Sequence, residues 1–388
     1  MNALRHAIQQ WLLPLGVLLF CCGLFFAGSR NGYKTMVYLT VLGPAIAMVL
    51  LSPRASLQAV LGNPARLMLA VFVFWAASSS SWALHQSESD NFIKYAVFIV
   101  LFALAFSRPV GIADRALLQV LRVSAGLAGV YALCSVLFWY GLQGHDWHER
   151  FSGIRLLYNP LVTGYFMGFF VALLMSEFVA YQQRRYAFLL YLPAVTALIV
   201  MVLLTQSRTP LLGWFATAVV LAVVKRNQRA WTLAGLTVVG SALLLAFNDT
   251  LWERGLSWRP WIWNHVLERV AEAPWLGHGV GDELLIVIPQ NGWLFYDPHN
   301  MHLAVLYFTG IIGLALWALL WLFIGQAVWR QRHTPEGLLF LGLLVYGFVA
   351  SCFDGGYLIE RPRENWFILW LPLVLAARLM DPPPKGDA

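Results

Sequence analysis

The sequence predicts an all-α, polytopic membrane protein of about twelve transmembrane helices, with one large outward loop that contains short helices. Three observations predict it. Apolar residues make up 60% of the chain and charged residues 12%, whereas about a quarter of a globular domain is charged. The apolar residues form continuous blocks, long enough to cross about 30 Å of hydrocarbon as helices. Those blocks lack the alternation that a membrane β-barrel requires.

In chain order the blocks fall at 11–27, 35–51, 66–82, 92–107, 115–141, 160–181, 187–205, 209–224, 230–247, 301–329, 337–353 and 364–380. Pro14, Pro44 and Pro193 interrupt three of them. The first lacks a small-residue cleavage pattern and reads as an uncleaved anchor. Cys21, Cys22, Cys134 and Cys352 lie in or beside apolar blocks, so they are expected to pack rather than to form disulfides or a metal cluster. The chain thus divides into spans at 1–248, an outer loop at 249–300, further spans at 301–380 and a tail at 381–388.

Basic residues near the span ends orient the bundle. With the amino terminus inside, one face collects Arg5, Arg54, Arg66, Arg108, Arg115, Arg184, Arg185, Lys225, Arg226, Arg229, Arg330, Arg332 and Arg378 with few acids, and the opposite face is acid-rich. Both termini are therefore expected in the cytoplasm and the loop at 249–300 outside. The net charge of +7 is assigned to the inner face, where it meets anionic headgroups. Nucleic acid is not an expected partner; membrane lipid is.

Two outer loops precede the large one. Ser78 to Asn91 is polar and mildly acidic, and its Glu88 and Asp90 read as solvated. Gly141 to Asn159 mixes His145, His148, Arg150 and Arg155 with aromatics, as an interfacial loop does. At the outer end of the eighth block, Arg208 sits between Ser207 and Thr209. An arginine so near the hydrocarbon needs an anion, and a lipid phosphate supplies one.

The loop at 249–300 carries the chemistry. Ile262, Val266 and Val270 recur at helical spacing after Pro260, which predicts a surface helix over 260–273 with Arg259 at its start. Gly277, Gly279 and Gly281 form a turn-rich stretch without the strand–turn–helix setting of a dinucleotide site. Asp297 reads as the cap and Pro298 as the first residue of the next span, placing His299 in the first turn of a helix. There the helix dipole disfavours positive charge, and a neutral imidazole is what a general base requires. Phe353 to Asn365, with Asp354, Glu360, Arg361 and Arg363, reads as a solvated, self-paired surface. No phosphate-binding glycine loop with lysine is present, so no ATP is expected, and the first outer loop, Gly28 to Lys34, carries no carboxylate, so no metal or other cofactor is expected either.

The Ser207–Arg208 pair, the R-P-x-I-W start at Arg259, the P-W-L-G-x-G-x-G turn at Pro274–Gly281 and the D-P-H-N ending at Asp297 resemble the O-antigen ligase and polymerase superfamily, in that order along a polytopic chain. The compact loop and the stretch from Arg254 to Trp263 are most similar to O-antigen ligases. The resemblance implies a bacterial inner-membrane enzyme with a periplasmic site. It would transfer a polysaccharide from undecaprenyl diphosphate to a sugar hydroxyl of lipid A-core. It implies His299 as base, Arg208 and Arg259 on the diphosphate, and Arg254, Trp258, Trp261, Asp297 and His302 around the substrates. An O-antigen polymerase or a protein O-oligosaccharyltransferase would use the same donor with another acceptor. A lipid-linked sugar transporter would instead need charges at midmembrane depth and paired broken helices.

Overall fold

A computed structural model describes residues 2–84, 91–181, 189–247, 257–289 and 292–382. Its helices are α1 (Asn2–Phe26), α2 (Arg30–Leu51), α3 (Pro53–Leu61), α4 (Pro64–Trp82), α5 (Phe92–Ala105), α6 (Asp114–Leu142), α7 (Pro160–Ala180), α8 (Leu192–Leu204), α9 (Arg208–Lys225), α10 (Gln228–Phe247), α11 (Arg259–Val270), α12 (Met301–Arg330), α13 (Pro335–Phe353) and α14 (Asn365–Met380). Each of the twelve apolar blocks coincides with a helix. Among the described residues seven helices are individually long and apolar enough to cross a membrane, and eight if α3 and α4, bent by 90° at their junction, form one span. The expected twelve spans are therefore not established among the described residues, because α5, α8 and α14 are shorter and α10 is not among the helices that qualify. A two-residue hairpin, Ile286–Val287 against Leu294–Phe295, is the strand content of the described residues.

Helix α7 is the centre of the bundle. It is apolar on every side, as a helix surrounded by other helices must be, and it packs against α8, α9 and α13. Glycines let these helices approach. A Cβ at Gly168 or Gly213 would collide with the Tyr346 side chain, whose hydroxyl donates to the Tyr165 carbonyl at 2.7 Å. Close backbone approach at small residues is how helices associate where lipid removes the hydrophobic drive. Within the bundle Arg122 is paired with Glu177 and lies over the Tyr181 ring.

Both ends of the chain lie on one face of the bundle. Arg5 reaches the Leu51 carbonyl, Asn63 donates to the Ala377 carbonyl and to Asp381, and Arg66 pairs with Asp381. Arg378 pairs with Asp114 at 2.6 Å and Arg108 with Glu336 at 2.7 Å. The expectation that this charge meets headgroups is corrected in part: Arg66 and Arg378 are buried in ion pairs that clasp α14 and the Asp381 that follows it to α6 and α4. Partnered burial is the condition under which such charge is tolerated.

Helix α12 is broken at Gly310, where φ is 64° and ψ −169°, a conformation open essentially to glycine alone. The glycine turn fills the break. His278 and Gly279 donate their backbone N–H groups to the carbonyls of Tyr307 and Phe308 at 2.9 Å, and Ile311 donates to Pro274 at 2.8 Å. Backbone groups freed inside an apolar bundle must be satisfied internally, so the turn-rich glycine stretch is a docking segment. A Cβ on Gly310 would collide with the Trp275 carbonyl.

Candidate functional site

The site is assembled where α11, the carboxyl-terminal end of α13 and the start of α12 meet. Ser257 and Trp258 both take left-handed backbone conformations, φ 54° and 60°. Such geometry costs about 1–3 kcal/mol for a non-glycine residue and persists only where surroundings enforce it. It turns the chain into α11 so that Arg259 stands at the helix start, as the sequence predicts. The Arg259 guanidinium donates to the Phe353 carbonyl from Nε at 3.3 Å and from Nη2 at 2.9 Å, leaving the rest of its fork for a ligand. One turn on, and on the same face, the Trp263 indole donates to the Pro298 carbonyl at 3.1 Å. Two residues therefore clamp α11 between the end of α13 and the turn that carries the histidine.

That turn differs from the expected one. Helix α12 begins at Met301, and its cap is Asn300, whose side chain accepts from the Leu303 N–H at 3.0 Å. His299 thus precedes the helix, with φ at 48°, and the dipole argument for its charge does not apply. Orientation comes from Asp297 instead. Its Oδ1 accepts the His299 backbone N–H at 2.8 Å and lies 3.1 Å from the ring Nδ1. A carboxylate at that distance favours the proton on Nδ1, and that tautomer leaves Nε2 with the lone pair a base needs. Phe295 packs edge-on against the ring at 5.5 Å, and the side chain stays 25% exposed.

Asp354 is the residue that sequence reasoning placed wrongly. Read as part of a solvated loop, it is only 8% exposed. Its Oδ1 lies 3.9 Å from His299 Nδ1 and accepts the Gly355 N–H, while Oδ2 is buried without a hydrogen-bond partner among the described residues. Burial raises its carboxyl above the usual range, and His299 and Arg259 hold it down against that. Conversely, burial lowers the Arg259 guanidinium and Asp354 offsets this. The carboxylate thus lies 3.9 Å from His299 and within electrostatic reach of Arg259. Glu360 and Glu364 are buried as well, paired with Arg363 at 3.1 and 3.2 Å. Contacts from distant helices, Arg30 to Glu364 at 3.0 Å and Tyr165 to Asn365 at 2.7 Å, pull this loop onto the bundle.

Arg208 is the first residue of α9, and its Nη2 donates to the Ser257 hydroxyl at 3.1 Å, two residues from Arg259. Arg208, Arg259 and His299 are thus linked through Ser257, Phe353 and Asp354. Trp258 caps the same helix start. Trp261 projects from another face of α11 and stacks on His265 at 5.4 Å, away from the Arg259–Trp263 face. His302 is also not brought to the site: Nδ1 accepts from the Trp317 indole at 2.9 Å and Nε2 lies 3.3 Å from the Ser351 hydroxyl, inside the bundle. Its expected place against substrate is corrected to a packing one, because the late helix start puts it on the interior side of α12. Arg254, Glu88 and Asp90 lie outside the described residues.

A family model described as O-antigen ligase matches residues 192–318, a stretch that contains Arg208, Arg259 and His299. The O-antigen ligase of Pseudomonas aeruginosa is 31% identical over 387 residues, covering 97% of this chain and 93% of that protein.

Proposed function

Because the chain belongs to the O-antigen ligase family, enzymes of the glycosyltransferase-type ligase class, we propose that it transfers a polysaccharide from undecaprenyl diphosphate to a sugar hydroxyl of lipid A-core. The reaction is placed on the outer face of the bacterial inner membrane, with both termini in the cytoplasm. The observation that carries this reading is the convergence at one helix start: Arg208 donates to Ser257, Arg259 two residues on holds the Phe353 carbonyl, and Asp354, the next residue, lies 3.9 Å from His299.

A glycosyl diphosphate already holds a good leaving group, so the demand in the transition state is for positive charge where the departing diphosphate gains negative charge. Arg259 and Arg208 meet that demand with permanent, forked donors at the edge of a low-dielectric bundle. The acceptor hydroxyl needs somewhere to send its proton, and His299 Nε2 receives it while Asp297 holds Nδ1. The hydroxyl oxygen attacks the anomeric carbon on the face opposite the diphosphate. The old carbon–oxygen bond breaks, the diphosphate keeps the electron pair, and the anomeric configuration inverts. Asp354 acts through its two neighbours by fixing their orientation. The guanidinium groups supply the electrostatic stabilisation, so no metal enters this scheme.

The test is ligation by the purified protein in nanodiscs with lipid-linked glycan and lipid A-core, with and without a chelator. Glycosylated lipid A-core is expected at the same rate in both. Loss of product on chelation would overturn the metal-free step, and longer carrier-linked chains in its place would make the protein a polymerase.

A further inference from the structure

Beside the histidine turn, and lined by neither Arg208 nor Arg259, lies a cavity of about 330 Å³, at the lower end of the roughly 300–1,000 Å³ typical of ligand pockets. Phe92, Tyr95, Tyr296 and Tyr357 supply its aromatic walls, and Asp282 and Glu360 its carboxylates. It reaches the chemistry directly. Tyr296 is the residue before Asp297, and the Gly356 backbone of the cavity wall packs so tightly on Asp297 that a Cβ there would collide with it.

We infer that this cavity is a carbohydrate subsite, which holds a sugar ring next to His299 during transfer. A pyranose has apolar C–H faces and a rim of hydroxyls that both donate and accept. Tyrosine rings offer flat, amphipathic surface to the faces, and buried carboxylates accept from the rim. A purely apolar occupant such as a lipid tail would leave Asp282 and Glu360, 8% and 9% exposed, facing hydrocarbon. Glu360 is already braced, its two oxygens accepting from Arg363 and Asn365 at 3.1 Å each. Burial pushes its carboxyl up to about 7, so near neutral pH it can either accept from or donate to a hydroxyl. Arg361, at the exposed edge, adds a donor for hydroxyl or acidic groups.

The inference rests on the transferase reading above, and the sugar it names belongs either to the acceptor or to the growing end of the donor glycan. Saturation-transfer NMR on the full protein in nanodiscs separates the two. One probe is core oligosaccharide freed of lipid A; the other is O-antigen polysaccharide freed of its carrier. Binding of at least one probe is expected, weakened about tenfold by Tyr357→Ala and by Tyr296→Ala. Both tyrosines are about half exposed, at 49% and 51%, so neither change removes a core side chain. Dependence of the core probe on the two tyrosines assigns the subsite to the acceptor, and dependence of the polysaccharide assigns it to the donor. If neither probe binds, or if both bind the tyrosine variants as they bind wild type, the subsite is overturned. Because binding is read without turnover, failure of the wild-type protein to ligate would strike the transferase reading and leave this result intact.

Discussion

His299→Ala is expected to slow glycan transfer about a hundred- to ten-thousand-fold, the range over which a positioned general base contributes. The loss belongs in turnover at saturating donor, since the imidazole acts on the acceptor proton while the diphosphate is held by guanidinium groups. The fold should survive. The ring touches the protein through Asp297, Phe295 and the more distant Asp354, and α12 is capped by Asn300 rather than by the histidine turn. His299→Gln keeps the volume and a hydrogen-bonding group but cannot take a proton near neutral pH, so it should be as slow. Single-turnover rates of protein loaded with donor check both variants, and a wild-type rate in either would remove the base from the mechanism.

Arg259→Ala is the second large effect. Removing one charge-assisted donor from a developing oxyanion costs about 3 kcal/mol, or on the order of a hundredfold in rate. Lysine in its place restores charge but not the fork that grips the Phe353 carbonyl with two donors, and recovery should be partial. A competing explanation is structural, because the alanine leaves Asp354 buried beside one fewer cation, and a buried charge with less compensation destabilises by itself. The double variant Arg259→Ala/Asp354→Asn separates these causes. Its melting temperature should recover toward wild type while its transfer rate stays low. Recovery of the rate along with stability would mean that Arg259 serves the fold and not the diphosphate.

The sequence made the apolar skeleton readable because hydrocarbon imposes a length and a composition on anything that crosses it, and each of the twelve blocks became a helix. It also located Arg259, since Pro260 and the spacing of Ile262, Val266 and Val270 mark a helix start by local rules. The turn at Asp297–Asn300 defeated the same rules. Aspartate and asparagine both cap helices, and the first of them instead spent its oxygen on the His299 N–H two residues on. The three-residue shift of the helix start then separated His302 from His299. Burial of Asp354 and Glu360 was invisible because it depends on partners far away in the chain, such as Arg30 and Tyr165. Nor does Gly310, one small residue inside an apolar run, announce that the glycine turn 30 residues earlier docks into its helix.

The most direct measurement of the central claim is the anomeric configuration of the newly joined sugar, read by NMR in the donor and again in the ligated product. Attack by a hydroxyl that His299 deprotonates, opposite a diphosphate gripped by arginines, predicts that the configuration inverts. Retention would require two successive displacements through a glycosyl-enzyme intermediate, and would contradict the account.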